Sequence, residues 1–308
     1  MKKKRYNDYS SYLSQIFPQR IQKISVNAGF TCPNRDGKIG FGGCTYCNNQ
    51  TFHPDYCQPH KSITQQLEEG IQFFRKKYTD QRYLAYFQAY TNTYDSLNNL
   101  ILKYEEALSH PLVSGIVIGT RPDCINEELL NYLSELSKSK YVMIEYGVES
   151  TSDETLKLIN RGHDFATAQR AIIATSERGI STGVHLILGL PKESTETILE
   201  HAKKISELPV TCIKLHQLQL IKGTKMAQQF EENPEWFHLY SAEEYIELAI
   251  DFIERINPQF VVERFISQSP TELLLKPSWG LKNFEFTAKL EKRIKERDTY
   301  QGILFKKQ

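Results

Sequence analysis

Cys32, Cys44 and Cys47 fall within CPNRDGKIGFGGCTYC, with eleven residues between the first two and two between the last, directly after the apolar run Ile24 to Val26. Thiols gathered at the end of a strand constrain this chain more than any other feature. Disulfides do not persist in a reducing compartment, so soft thiolates placed this way point to iron–sulfur or zinc. A structural zinc site takes four protein ligands, whereas three ligands leave one metal position open for chemistry. A fourth ligand would have to be His53 or Cys57, and neither stands at zinc-ribbon spacing from Cys47. An open iron–sulfur cluster is the first expectation, with zinc and unligated buried cysteines as the alternatives. Gly42 and Gly43 suit a tight loop before Cys44.

At 308 residues the chain is long enough for one large barrel-like core with a small appendage. With 40% hydrophobic and 24% charged residues, and no apolar run as long as a membrane span, it reads as a soluble protein with no membrane partner. The opening MKKKRYNDYS lacks the apolar segment of a secretory signal, so a cytoplasmic location with reduced thiols is expected. A net charge of +1 gives no global pull toward nucleic acid. Basic clusters occur at Lys2 to Arg5 and Lys289 to Arg297, for which solvated termini and helix faces are the plainer explanation.

Strand-like runs alternate with amphipathic stretches, the pattern of repeated strand–helix units around a parallel sheet. The strands are expected at Ile24 to Asn27, Tyr83 to Ala89, Gly115 to Gly119, Val142 to Gly147, Thr182 to Leu188 and Cys212 to Leu220. Helices are expected at Ser62 to Tyr78, Ser96 to Ser109, Glu127 to Lys138, Ala166 to Arg178 and Thr195 to Glu207. Asp95, Asn126 and Ser194 suit amino-terminal caps, and Gly179 suits a left-handed carboxyl cap. After Gly223 the alternation stops, leaving a helix from Ala242 to Ile256, a β-type run from Phe260 to Ile266 and a charged helix from Phe284 to Arg297. The reading is an α/β chain: a partial (β/α)6 TIM-like barrel over residues 1–225 and a small α+β extension over 226–308. In parallel barrels the site gathers at the carboxyl ends of the strands, where the cysteine loop, QAYTNTY, TRPD, GVES, HLILGLP and HQLQLIKG all fall.

Together with GVESTSDETLKLINRGHD, these segments resemble the radical S-adenosylmethionine (radical SAM) superfamily over residues 20 to 225. The branch is that of the Elongator catalytic subunit, oxygen-independent coproporphyrinogen oxidase and the methylthiotransferases, and the wide gap from Cys32 to Cys44 looks like the Elongator side. The resemblance implies that Cys32, Cys44 and Cys47 bind three irons of an oxygen-sensitive 4Fe-4S cluster. The fourth iron takes the amino and carboxylate groups of SAM. An electron from a flavodoxin- or ferredoxin-type donor then cleaves SAM to methionine and a 5'-deoxyadenosyl radical, so the cofactor carries the chemistry and the protein positions it.

By the same resemblance Tyr46 packs near the cluster and adenine, Glu149 bonds the ribose hydroxyls and Arg161 pairs with the SAM carboxylate. The plainer explanations are an exposed helix-capping acid and a surface ion pair. His185 stands where some relatives place a ribose-binding aspartate; a buried histidine bonded to backbone accounts for it as well. Relatives have a glycine-rich stretch for the SAM amino group where this chain reads QAYTNT, so the carbonyls of Gln88 to Tyr90 are the substitutes. TRPD also occurs in the Elongator-like branch, and Pro122 alone would set a tight turn there. Cys124 and Cys212 read as small hydrophobes, and Cys57 as a spare thiol.

The resemblance implies a transfer-RNA substrate, at the carbon-5 side chain of a wobble uridine. Lys2 to Arg5, Lys276, Lys282 and Lys289 to Arg297 are candidate phosphate contacts, with Trp279 or Phe284 for stacking. Two alternatives stand beside it: an enzyme acting on a small metabolite, and a zinc-stabilised binding protein using Cys32, Cys44, Cys47 and Cys57.

Overall fold

The computed structural model describes residues 4–48, 51, 54–75, 78 and 80–306. Its strands are β1 (Arg20–Val26), β2 (Gln81–Phe87), β3 (Val113–Thr120), β4 (Tyr141–Glu149), β5 (Ser181–Leu188), β6 (Cys212–Gln217), β7 (Leu220–Ile221), β8 (Val261–Arg264) and β9 (Leu274–Lys276). One half-barrel sheet runs in the order β1-β2-β3-β4-β5-β6-β8 with every neighbouring pair parallel, while β7 and β9 form an antiparallel pair beside it. The central strands are buried along nearly their whole length, as the runs VSGIVIGT and YVMIEYGVE require of a parallel sheet covered on both faces.

The crossovers carry α2 (Ile63–Arg75), α3 (Leu97–Ser109), α4 (Glu127–Ser137), the short α5 (Asp153–Leu158) with α6 (Phe165–Glu177), and α7 (Thr195–Ser206). Asn126 and Ser194 cap α4 and α7 as the sequence predicts, but α3 is capped by Ser96, which accepts from the Asn99 amide. Asp95 sits one residue earlier and accepts instead from the Ser96 amide at 2.7 Å. Gly179 takes the left-handed backbone expected of it, with φ +73°.

The main departure from the sequence reading lies beyond residue 225. The run expected as part of an extension contributes β8, a seventh strand paired parallel with β6, so the sheet is one strand longer than the alternation indicates. Helix α1 (Tyr9–Ile16) lies between the two edge strands: it packs on both β1 and β8, and the Val262 amide bonds the Asn7 carbonyl at 2.8 Å. This covering protects edges that would otherwise offer unpaired backbone. Of the remaining helices α8 (Lys225–Glu232), α9 (Ala242–Ile253) and α10 (Asn283–Glu296), the last two pack together, and Tyr6 joins α10 through a 3.0 Å bond to Glu291.

Inside the curve of the sheet four charged side chains meet. Lys23 of β1 bonds Glu145 of β4 at 2.8 Å and Glu263 of β8 at 2.7 Å. Lys214 of β6 bonds the same two carboxylates at 2.5 and 3.1 Å. Lys23 and Glu263 thereby join the two edge strands across the open side of the half-barrel. Burial alone would raise the Glu145 and Glu263 carboxyls, but Lys214 and Lys23 outweigh it and hold both below their ordinary 4.5.

Removing one member strands a buried charge, so Lys214→Met is expected to lose about 3–5 kcal/mol of stability in urea denaturation at pH 7. Carboxyls depressed in the folded state contribute fully above about pH 4.5 and lose that contribution as the medium acidifies through their folded values. The gap between wild type and variant should therefore narrow toward about pH 3. A gap under about 1 kcal/mol at pH 7 would show that the ring contributes little.

Candidate functional site

The cysteine loop leaves β1 and folds back over the strand ends through bonds made by its own backbone and by the segment after α5. The Arg35 and Asp36 amides bond the Cys32 carbonyl at 2.8 and 3.1 Å, and the Cys47 amide bonds the Cys44 carbonyl at 3.0 Å. Gly42 and Gly43 both take left-handed backbone, φ +80° and +81°, which lets the chain reverse before Cys44. Asn34 donates to the Asn160 carbonyl at 2.7 Å, Asn160 donates to the Gly43 carbonyl at 2.9 Å, and the Thr45 amide bonds the Ile159 carbonyl at 2.9 Å. The loop is thus fastened to LINRGH by reciprocal asparagine bonds, and Arg161 follows directly.

Arg161 is buried and joins the two halves of the site. Its Nη1 lies 3.5 Å from Cys44 Sγ, its Nη2 donates to the Gly147 carbonyl at 2.5 Å, and Nη2 stands 3.9 Å from Glu149. Among the described residues its Nε has no partner. It is therefore no surface ion pair. Glu149 is likewise buried, and the cap of α5 is Ser152, so the helix-capping explanation fails. A register shift between Gly147 and Glu149 lets β4 turn Glu149 inward with φ +68°, a left-handed backbone that a non-glycine residue adopts at a cost. Burial raises its carboxyl pKa, against the pull of Arg161, Tyr46 and Arg121.

Gly147 makes this arrangement possible. A Cβ there would fall 2.5 Å from Glu149 Oε1 and 2.7 Å from Arg161 Nη2.

TRPD contributes more than a turn. Asp123 grips Arg121 through two bonds of 2.9 and 2.8 Å, and the buried Arg121 Nη1 has no partner among the described residues. Sequence reasoning passed over Arg121, Asn34 and Asn160 as site residues; the signal was their place in TRPD, CPN and NRG.

Tyr46, Gln88, Tyr90, Glu149, Arg161, His185 and the three cysteines all line one cavity at the carboxyl ends of the strands. Tyr90 also has left-handed backbone, φ +61°. His185 bonds the Glu145 carboxylate at 3.1 Å, a side-chain partner where the sequence offered a backbone one. Burial lowers its pKa to about 4 despite that carboxylate. Burial, with Cys44 beside it, lifts the Cys47 thiol to about 11, against Arg35.

Cys57 is buried outside this cavity with its pKa pushed up to about 12, while His53 lies outside the described residues. Cys212 is buried, as a small hydrophobe should be, and Cys124 is partly buried beside Asp123. Among the described residues no three Cys, His, Asp or Glu side chains are grouped to hold a single metal ion. A cluster makes a different demand, since each thiolate meets its own iron.

Comparison with known proteins follows the same lines. Residues 29–205 match the model of the Radical SAM superfamily, and residues 210–296 that of the Radical SAM C-terminal domain. YtqA of Bacillus subtilis (strain 168) is 34% identical over 304 residues, covering 99% of this chain and 94% of YtqA. A tRNA uridine(34) acetyltransferase of Methanocaldococcus infernus is 30% identical over 162 residues, which is 52% of this chain and 29% of that protein. The solved structure of the Methanocaldococcus infernus Elp3 with an N-terminal deletion matches with a TM-score of 0.67 at 17% identity. It spans 91% of this chain and 64% of the other, a likeness of fold.

Gly147→Ala is expected to fold but to lose about 1–3 kcal/mol of stability, because the added Cβ must push two buried, bonded side-chain ends aside. Its crystal structure should show the Arg161 guanidinium moved off the Gly147 carbonyl; an unmoved guanidinium would count against the crowding described.

Proposed function

The chain belongs to the radical SAM superfamily, whose members use a 4Fe-4S cluster and SAM, and on that premise we propose that Cys32, Cys44 and Cys47 hold the cluster and that the adjoining cavity binds SAM. Membership in an enzyme superfamily sets aside the zinc-stabilised, non-enzymatic alternative. The observation that carries the reading is Arg161, which reaches from Cys44 to Gly147 and Glu149 and brings thiol, cation and carboxylate into one lining. Three thiols fit the donor set that such a cluster requires. The unpartnered donors of Arg161 and Arg121 fit an anionic ligand beside it.

When bound, the cluster supplies the low-potential electron, drawn from a flavodoxin- or ferredoxin-type donor, that splits SAM and frees a carbon radical able to take a hydrogen atom. Arg161 offers its cation to the SAM carboxylate, and Glu149 accepts from the ribose hydroxyls. Tyr46 flanks the adenine. The carbonyls from Gln88 to Tyr90 take the amino group. Because the Nε2 hydrogen of the neutral His185 is directed at Glu145, its Nδ1 is left to accept from a ligand hydroxyl.

For the substrate we infer a transfer-RNA base, at the carbon-5 side chain of a wobble uridine. Support comes from the tRNA uridine(34) acetyltransferase that shares about half of this chain. Lys2 and Lys3 lie outside the described residues, and the rest of the basic stretches adds little. Lys4 and Arg5 pair with Glu291 and Asp298, and Lys289, Arg293 and Arg297 pair with Glu243, Glu247, Asp251 and Glu254 of α9 and its cap. Trp279 is engaged with the Tyr240 carbonyl and stacked on Phe286, while Phe284 is exposed and Lys276 lies over the Phe230 ring. Those engaged charges favour a second reading, a small metabolite taken into the lumen.

Under anaerobic conditions Cys44→Ala should abolish SAM cleavage, and Arg161→Ala should weaken SAM binding by about 1.5–3 kcal/mol, the loss of a charge-assisted bond. Cleavage at the wild-type rate in the cysteine variant would refute the assignment. Binding of bulk tRNA that weakens steeply with salt, together with a modified-nucleoside profile altered by loss of the gene, would support the RNA reading. An unchanged profile and no salt-dependent binding would leave the metabolite.

A further inference from the structure

The same cavity continues past the SAM-binding residues to the β6 and β8 side of the lumen, where Tyr86, His216, Gln217, Gln219, Arg264 and Ser267 line it. None of these has a role in the function proposed above. Arg264 directs Nε and Nη2 at His216 Nε2, 3.2 and 2.8 Å away. That ring nitrogen must therefore be the acceptor, which places the ring hydrogen of the neutral imidazole on Nδ1. Burial, then Arg264, holds the His216 pKa well below its ordinary value, in keeping with a neutral ring.

Gln219 accepts from the Ser267 and Ser269 hydroxyls at 3.3 and 2.8 Å through Oε1, leaving its amide nitrogen unused. Gln217 is satisfied at both ends by the Ser267 backbone. Among the described residues Arg264 Nη1, His216 Nδ1 and Gln219 Nε2 have no hydrogen-bond partner in the chain, and all three are N–H donors.

Charge points the same way. Among the described residues Lys23 and Lys214 take up both Glu145 and Glu263, and Arg264 beside them makes no ion pair, so three cations stand against two anions around this part of the lumen, and both histidines beside them are neutral. Lys214 has its pKa lowered by burial, but two carboxylates at 2.5 and 3.1 Å hold its proton. One cation is left without a counter-charge, and a guanidinium in that position is matched by a planar or tetrahedral oxyanion.

We propose that Arg264, His216 and Gln219 form a subsite for an oxyanion of the substrate, a carboxylate or a phosphate, held on the β6–β8 side of the lumen and away from the Cys44–Arg161–Glu149 side. The proposal rests on the reading that this lumen holds the substrate. It makes the substrate anionic at one end, so that charge recognition fixes which carbon faces the SAM side.

The test uses the full chain, anaerobically reconstituted and saturated with SAM, titrated at constant ionic strength with 13C-acetate and with methyl phosphate, followed by carbon and phosphorus NMR. Saturable binding of at least one probe is expected, and whichever binds more tightly names the source. Arg264→Gln should weaken it at least about tenfold, Arg264→Lys less, and Gln219→Ala several-fold, in line with the loss of charged and neutral donors. Gln219→Ala removes no buried packing charge and decides the matter if Arg264→Gln fails to fold. Absence of saturable binding to wild type, or binding by Gln219→Ala and Arg264→Gln as tight as that of wild type, overturns the subsite. SAM binding measured in the same samples separates the two claims. Wild type that binds SAM but neither anion sinks the subsite alone, whereas wild type that fails to bind SAM sinks the enzyme reading on which the substrate assignment rests.

Discussion

The ring of Lys23, Glu145, Lys214 and Glu263 is the constraint on which the rest of the molecule depends. A sheet of seven parallel strands does not close on itself as an eight-stranded barrel does, and its two edges would otherwise part or pair elsewhere. Here the edges are held by alternating charges drawn from β1, β4, β6 and β8, in an interior where each charge depends on its partners to offset desolvation. Helix α1 completes the closure from outside. The cavity of the site lies at the carboxyl ends of the strands, where the cysteine loop also lies.

A second dependence runs through the segment after α5. The loop with the three cysteines carries no regular helix or strand, so its shape is set by what it bonds to. Asn34 and Asn160 exchange bonds with each other's segments, Thr45 bonds Ile159, and Met226 at the start of α8 bonds Thr45 from the other side. Arg161 therefore meets Cys44 because the two residues before it have already fixed the loop. The left-handed backbone of Asn160, φ 52°, suits asparagine better than most residues and places the guanidinium on the inner side.

Much of this was legible in the sequence. Six strands and five helices follow from runs of apolar residues and their caps, and the nine residues marked for the site all come to one cavity because parallel strands deliver their carboxyl ends to one place. What escaped has a common cause. Lys23, Glu145, Lys214 and Glu263 each stand as a charge among the apolar residues of a strand, and nothing local says which distant strand supplies its partner. The same holds for β8, whose four residues look like an isolated run until β6 is placed beside them. The basic helix α10 shows the converse: its charges stand out in sequence, yet Lys289 and Arg293 meet carboxylates of α9 that nothing local announces.

The ring also governs what the lumen can offer a ligand. Glu145 is shared among Lys23, Lys214 and His185, so it holds His185 by a hydrogen bond without charging it, burial winning over the carboxylate. Arg264, next in sequence to Glu263, has no carboxylate left to pair with and turns to His216, which it keeps neutral. On the β6–β8 side of the lumen Glu145 and Glu263 are taken by two lysines, which leaves Arg264 to whatever enters. The charges that close the fold therefore also set the polarity of its cavity, and a change made to one would be felt in the other.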